Sequence, residues 1–545
     1  AGLAFLSGMI GSLLSFLRPE PPRDANLPTL VQEMGRSPIE AQGTAVYSLG
    51  VPPVCTDASN LRLPDRHFTV VTTAALPWLT GPAINPLMRS LYLAKRGHRV
   101  VLMLPWIEQA DQAVTFPENI VFESEEAQEK HIREWCRKRG GIDPDKLKIE
   151  FKWYKASYVK SVRSIFPDGD LTNSLGSMPR DVLILEEPEH LCWYHEGQRW
   201  PELFRHVIGV VHTNYQVYIQ NMGYKGLMGT PAVRDSLFFT FSSLVCSAYC
   251  DVTVKLSGAG ISLPNEVQCN IHGVRDEFFK LGAVTRNHGA PQLFKKESDE
   301  GETAFYFLGK GALTKGWGGL LDLLEKVDVP LSVDGYCSGP DMEQIMQRAE
   351  KLSSRQDGPC LRLSKAIDHA DKRIRPCKVL VNASISEMLC TVTAEAFAMG
   401  KRAVLPDHPS NAFFKDNFAD RCHFYNDGDA ASFVKAMQEA AAAPWPGPLP
   451  KDKAELLSWD AAIDRLVDTS EVRVLSGPFS RPSEVAIARL AYEVHNGLQK
   501  DTPAVASLLK QATLKAQTPW EQQLARWRES EAAKRLNKEI EWLKF

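Results

Sequence analysis

The segment SEMLCTVTAEAFAMG, residues 386–400, carries two carboxylates, Glu387 and Glu395, eight positions apart with no charge between them. On a helix, eight steps of about 100° return to within roughly 80° of the starting direction, so both acids can address one cleft. The preceding run CKVLVNAS (377–384) reads as a strand. That puts Glu387 in a strand-to-helix loop, the backbone N–H groups of Met388, Leu389 and Cys390 at the helix start, and Glu395 in its second turn. A carboxylate offers two acceptor oxygens, which suit the vicinal hydroxyls of a sugar and repel a phosphate. The plain alternative is two solvated acids on a helix face. Upstream, TAFYFLGK (303–310) ends in Gly309-Lys310, and Lys315-Gly316 opens KGWGGLLDLLEKV (315–327). Lysines neutralise, glycines admit close backbone approach, and helix-start N–H groups donate, so the combination suits a diphosphate. Its plain alternative is two solvated lysines.

These groups need elements that bring them to one edge. HFTVVTTAALPWLTG (67–81) is a β-branched run followed by a loop closing at Gly81, where a residue without a side chain lets backbone approach a ligand. NPLMRSLYLAKRG is helical by its apolar spacing, and Arg99–Leu104 is a second strand. DVLILEE (181–187), HVIGVVHT (206–213) and DVTVKLS (251–257) are further buried strands. The later series, 303–310, 330–340, 377–384 and 401–410, alternates with helices. The expected fold is α/β: two tandem Rossmann-like domains facing a cleft, with a C-terminal helical region. The divisions expected are an extension over 1–60, a first Rossmann-like domain over 61–285, a second over 286–445, and helices over 446–545, with strands ending near 445. His212 closes a strand at the cleft edge, as a site residue or as a satisfied core histidine. Glu187 and Glu189 follow another strand and are candidates for contacting acceptor hydroxyls.

Composition narrows the class. Of 545 residues, 44% are hydrophobic and 24% charged, which is globular, and the net charge of -3 excludes a generally nucleic-acid-binding chain. The eleven cysteines show no CxxC pair or zinc-finger spacing and read as reduced thiols; Cys246 and Cys250 read as core residues on one helix face. No stretch is apolar for long enough to span a bilayer. The opening AGLAFLSGMIGSLLSFLRPEPP lacks a basic leader and reads as a segment that docks on a membrane interface or on the protein body. Between Lys130 and Arg163, eleven Lys and Arg face four acids. FKWYKASYVKSVR interleaves Lys152, Lys155, Lys160 and Arg163 with Trp153, Tyr154 and Tyr158. Cations with aromatics suit an anionic membrane surface; an ordinary basic helix-loop face is the alternative.

Together GK-x4-KG, the Gly335 and Gly339 stretch, and E-x7-E after a strand resemble the second domain of family-4 retaining glycosyltransferases, which have two Rossmann domains (the glycosyltransferase B-type fold) and use nucleotide-sugar donors. The resemblance implies that Glu387 contacts the donor sugar and Glu395 the nucleotide ribose. Lys310 and Lys315 would hold the diphosphate. The first basic position is more often Arg in that family, and Lys310 keeps the charge without the bidentate fork. His212 matches a histidine that orients the donor sugar near its anomeric centre, and His272-Gly273 a loop lining the donor site. TTAALPWLTGPAINPL (72–87), LEEPEHLCWYHEGQRW (185–200), VVHTNY (210–215), CNIHGV (269–274), IDHAD (367–371) and HPSNAFF (408–414) narrow the resemblance to the galactolipid galactosyltransferases of plastids, over about residues 67–460.

What this implies is retaining transfer of galactose from UDP-galactose to a galactolipid acceptor, at the plastid outer envelope, by a peripheral membrane protein. Double displacement needs a carboxylate below the sugar ring, and none is nominated. The expected route is front-face departure of UDP, with Lys310, Lys315 and a helix N-terminus stabilising the diphosphate. No metal site and no essential cofactor are expected. The competing readings are a related transferase with another donor or acceptor, and a non-catalytic membrane scaffold on the same fold.

Overall fold

A computed structural model describes residues 58–159, 164–215 apart from 194 and 196, 241–284 apart from 264, 304–471 apart from 356 and 357, and the short pieces 54–55, 473–474, 488–493 and 495–496. Residues 1–53, Lys160, Arg163, residues 285–303 and the tail beyond 496 lie outside the described residues; of the polar stretch expected as a linker over 280–302, residues 280–284 instead close the helix Asp276–Val284.

Two sheets carry the chain. After a two-residue strand β1 (Val54–Cys55), the first sheet is built from β2 (His67–Val71), β3 (Arg99–Ile107), β4 (Ile149–Val159), β5 (Ser164–Pro167), β6 (Val182–Glu186), β7 (His206–Val211), β8 (Val252–Lys255) and β9 (Glu266–Gln268). Its spatial order is β5-β4-β3-β2-β6-β7-β8-β9, and every neighbouring pair is parallel except β4–β5. The second sheet comprises β10 (Phe305–Lys310), β11 (Ser332–Ser338), β12 (Cys360–Lys365), β13 (Val379–Val381), β14 (Arg402–Pro406) and β15 (Cys422–Tyr425), in the all-parallel order β12-β11-β10-β13-β14-β15. Both follow the doubly wound order 3-2-1-4-5-6, and such sheets open a crevice beyond their carboxyl ends where the winding reverses. Here that falls between β2 and β6 and between β10 and β13. Central strands such as VLILE in β6 and VLV in β13 are wholly buried, as parallel sheets covered on both faces require.

The helices that position the cleft are α1 (Gly81–Lys95), α2 (Asp276–Val284), α3 (Trp317–Glu325), α4 (Thr391–Ala398) and α5 (Trp459–Ser470). The last returns to the first domain after the second has been built. Trp459 stacks on Tyr92 of α1 with centroids 6.0 Å apart, Arg96 pairs with Asp464 at 2.6 Å, and His206 bonds the Ser470 carbonyl at 2.7 Å. The helix is capped by the Ser458 hydroxyl, which accepts from the Ala461 N–H. Gly273 is required by this packing, since a Cβ there would lie 2.5 Å from the Trp459 Cα.

Two expectations need correction. Strands do not end near 445: Arg473–Val474, β16, pairs antiparallel with β1. The basic segment is a helix-loop face only in its upstream part, where Glu125–Trp135 is a helix, and not over its aromatic stretch. IEFKWYKASYV is β4, a strand with buried residues on both faces, Ile149, Phe151 and Val159 on one and Tyr154 and Ala156 on the other. The cysteines follow expectation: Cys246 and Cys250 are buried, and the ten cysteines from Cys136 to Cys422 are free thiols.

Candidate active site

The second domain builds its half from the loops after β10 and β13. After Val381, the Asn382 side chain folds the loop by accepting from the Ser384 N–H at 3.0 Å. Cys390 caps α4 with its backbone, and Met388 and Leu389 are buried just before it. On the other loop, a single turn over Leu313–Lys315 ends at Gly316, whose φ of 94° is left-handed. A Cβ at Gly316 would lie 2.8 Å from the Ser384 N, so glycine lets the two loops touch. The result is a 3.0 Å ion pair between Lys315 Nζ and Glu387 Oε1, both partly exposed. Lys310, at the end of β10, stands 4.6 Å over the ring of Trp78 from the first domain.

Glu395 does not pair with Glu387's partner. Its Oε2 lies 2.8 Å from His369 Nδ1, and His369 Nε2 lies 2.7 Å from the Tyr306 hydroxyl. Glu387 and Glu395 are thus held by different partners, Lys315 and His369.

The first domain contributes the loops after β2, β6 and β7. Glu186, the last residue of β6, is fully buried and bonds both Arg89 Nε at 2.7 Å and His212 Nε2. Burial pushes its carboxyl up, but Arg89 and His212 outweigh that and hold it below the ordinary value. Arg89, from the buried side of α1, also donates to the Ile271 carbonyl at 2.9 Å. His272 packs 4.9 Å from His212, and neither of its ring nitrogens has a hydrogen-bond partner. Burial, then the neighbouring His212, Arg89 and Arg465 charges, keep it neutral, well below the usual histidine range. Glu187 adopts φ 65° and accepts from the hydroxyls of Thr73 at 2.8 Å and Thr213 at 2.6 Å. Glu189 is buried in the short helix Pro188–Leu191 with Oε2 unpartnered; burial, then Glu187, push its carboxyl up to about 8. It lines a small pocket with Thr213, Asn214, Ser242, Lys255 and Met388. At neutral pH Glu189 is therefore a hydrogen-bond donor rather than an anion.

The two halves meet at Thr213, which forms a β-bridge with Glu387, while the Asn214 N–H donates to the Ser386 carbonyl at 3.3 Å. His212, Glu187, Lys315 and Glu387 are thereby gathered at one seam, with Met388 beside Glu189. Gly81 opens α1 at the surface, where a Cβ would make ordinary contact with the Asn85 amide at 3.6 Å, and Gly273 lies behind His272 against Trp459. Sequence reasoning missed Arg89, Glu186, His369, Tyr306, Thr213 and Trp78. A lone charge in the apolar stretch NPLMRSLYL was a usable signal for Arg89; the rest depended on tertiary contacts.

The proposed membrane set divides. Tyr154 is removed from it, because its ring is in the core and its hydroxyl donates to the Thr72 carbonyl at 2.7 Å. Trp153 packs edge-on to Trp106 and Tyr158 edge-on to Trp78, both partly buried. Lys155 is exposed and Lys152 pairs with Glu150 at 3.4 Å. Much of the upstream charge is compensated as well: Arg133 and Arg137 reach Asp145, Lys148 reaches Asp65, and Arg139 reaches Asp368. Among the described residues, no helix is long and apolar enough to cross a membrane.

Two sheets of Rossmann order, facing across a seam of acids, lysines and histidines, make the chain a protein of the glycosyltransferase B-type fold. No protein-family profile matches it. Digalactosyldiacylglycerol synthase 2, chloroplastic, of Arabidopsis thaliana is 36% identical over 429 residues, covering 78% of this chain and 85% of that protein. Digalactosyldiacylglycerol synthase 1, chloroplastic, of the same plant is 40% identical over 417 residues, covering 75% of this chain and 48% of that protein. The chain belongs to the digalactosyldiacylglycerol synthase family. It spans about half the length of the type 1 relatives it matches. Among solved structures, sucrose-phosphate synthase from Thermosynechococcus elongatus is 12% identical with a TM-score of 0.43, covering 80% of this chain and all of that one.

Proposed function

We propose that this protein transfers galactose from UDP-galactose to the head group of monogalactosyldiacylglycerol, with retention at the anomeric carbon, to give digalactosyldiacylglycerol. The observation that carries this reading is the 36–40% identity to proteins named digalactosyldiacylglycerol synthase, on a chain that joins Lys315, Glu387 and the His212 loop at one interdomain seam. Glu387 binds galactose hydroxyls and Glu395 the ribose of UDP. Lys310, Lys315 and the backbone N–H groups of Met388, Leu389 and Cys390 hold the diphosphate, with Gly81 and the His272-Gly273 loop facing the donor. His212, steadied by Glu186, stands by the anomeric centre.

Donor arrival exchanges the Lys315–Glu387 pair for two complementary contacts: ammonium to phosphate and carboxylate to sugar hydroxyl. As UDP departs from the face on which the acceptor hydroxyl attacks, negative charge grows on the diphosphate, and preorganised lysines stabilise it most in the transition state. The route needs no divalent metal and no enzyme nucleophile. Glu187 and Glu189 approach the acceptor: Glu187 orders Thr73 and Thr213, and protonated Glu189 donates to a hydroxyl. Lys152, Trp153, Lys155 and Tyr158, with Lys160 and Arg163, provide the contact with an anionic lipid surface, at the outer envelope of the plastid.

The deciding experiment incubates the full chain with UDP-galactose and monogalactosyl lipid, separates the lipids by chromatography, and reads the new anomeric configuration by proton NMR. An α-linked digalactosyl lipid is expected. A product formed only from another UDP-sugar or acceptor would reassign the specificity, and no product with no UDP binding would favour the scaffold.

A further inference from the structure

We infer that His369 is a positioning residue for the nucleotide half of the donor: it holds Glu395 in the orientation from which the carboxylate meets the ribose hydroxyls. The inference rests on the assignment of Glu395 to the ribose, and adds the group that makes that contact directional. Glu395 projects from the second turn of α4 with its side chain 15% exposed, so only a small part of it is open to a ligand. The rest is spoken for. His369 Nδ1 lies 2.8 Å from Glu395 Oε2, and His369 Nε2 lies 2.7 Å from the Tyr306 hydroxyl. Tyr306 is fully buried and His369 nearly so.

The proton inventory admits one neutral arrangement that satisfies all three groups. The imidazole carries its proton on Nδ1 and donates to the carboxylate, while Nε2 accepts from the tyrosine hydroxyl. Burial, then Cys377 and Glu395, push the Tyr306 hydroxyl well above its ordinary value, so it keeps its proton and fixes the tautomer. A carboxylate–imidazole pair buttressed in this way loses rotamer freedom before the ligand arrives, so that binding need not remove it. Tyr306 and Lys310 are four residues apart on β10 and therefore on the same face of the strand. One strand thus supports the ribose contact at its base and the phosphate contact at its mouth.

The loop bearing His369 is anchored from the first domain. Asp368 lies 3.6 Å from Arg139 and 3.8 Å from Arg275, and Phe278 of α2 packs 5.7 Å from the His369 ring. The position of Glu395 is therefore referred through His369 to both domains.

The test titrates UDP and 2′,3′-dideoxy-UDP calorimetrically into the full chain and its variants. Wild type is expected to prefer UDP by roughly tenfold or more, about one well-made pair of hydrogen bonds. Glu395→Gln should lose most of that preference. His369→Phe, which fills the space without a donor, should weaken UDP by roughly tenfold and leave dideoxy-UDP unchanged, and His369→Asn, which keeps a donor near Nδ1, should restore part of the loss. In turnover assays His369→Phe should raise the donor KM and leave kcat within about twofold. If His369→Phe weakens both nucleotides equally, or keeps the wild-type ratio while Glu395→Gln loses it, the positioning role is overturned and the donor assignment stands. If neither wild type nor Glu395→Gln distinguishes the two nucleotides, the ribose assignment falls and this role with it.

Discussion

Replacing Glu186 by Gln tests whether the buried Arg89–Glu186–His212 cluster behaves as a balanced charge system. The substitution keeps size and one acceptor and removes the charge. Both Arg89 and Glu186 side chains are fully buried, and Nε and Oε1 are 2.7 Å apart, so solvent cannot screen what is lost. Among the described residues, Glu186 is the carboxylate paired with Arg89. Leaving a guanidinium buried without its counter-charge costs about 3–5 kcal/mol. With a urea m-value of about 3 kcal/mol/M for a domain of this size, the unfolding midpoint of the first domain should fall by roughly 1–1.7 M. Tryptophan fluorescence follows it, since Trp106, Trp153 and Trp200 report on that domain. The double variant Arg89→Met with Glu186→Leu removes both charges and should recover most of the loss, a coupling of several kcal/mol. A midpoint shift below about 0.3 M for Glu186→Gln, or a double variant as unstable as the summed single variants, would refute the charge-balance argument.

Lys315→Ala should lower turnover by on the order of a hundredfold even at saturating UDP-galactose, with Lys315→Arg partly active; near-normal turnover would sink the leaving-group role. Gly273→Ala forces a Cβ to within 2.5 Å of the Trp459 backbone and should cost about 2–3 kcal/mol, lowering the thermal midpoint by about 4–10 °C in calorimetry. Glu189 titrates near 8 when folded, against 4.5 as its ordinary value. The folded state therefore binds the extra proton, and stability present below about pH 4.5 drains away as pH rises to about 8, by on the order of 1.4 kcal/mol per unit. Glu189→Gln should lack this slope in urea midpoints taken between pH 5.5 and 8.5, and parallel slopes for the two proteins would contradict the buried-acid reading.

Nine of the strands were legible because they are continuous apolar runs bounded by turn residues, as in VLILE, HVIGVV and VLV. β4 was not, since the lysines and aromatics mixed over IEFKWYKASYV look the same on a basic surface face as on a strand covered on both faces. β12 and β15 were missed for a related reason: CLRLSK and CHFY lie at the two edges of the second sheet, where polar residues are tolerated and the apolar signal is diluted. The acids and lysines of the candidate site were legible by type and spacing, and Glu387 and Lys315 do meet. Their neighbours were not, because His369 and Tyr306 are 63 residues apart and Glu186 and Arg89 are 97 apart.

By itself, the sequence determined the alternation of buried strand and helix, and with it two parallel sheets. It also determined the side of each sheet on which Lys310, Lys315, Glu387, His212 and Glu187 fall, since a loop that follows a parallel strand lies at the sheet's carboxyl edge. Only the tertiary structure decided which of those groups are free to act and which are held. Glu395 is tied to His369, His212 to Glu186, and Tyr154 is turned inward, while Glu189 keeps an unpartnered oxygen. The physical reason is range. Periodicity and turn chemistry act over a few residues and are written in local sequence. Burial and ion pairing depend on which distant segments share a low-dielectric space, and that is known only once the sheets have closed on one another.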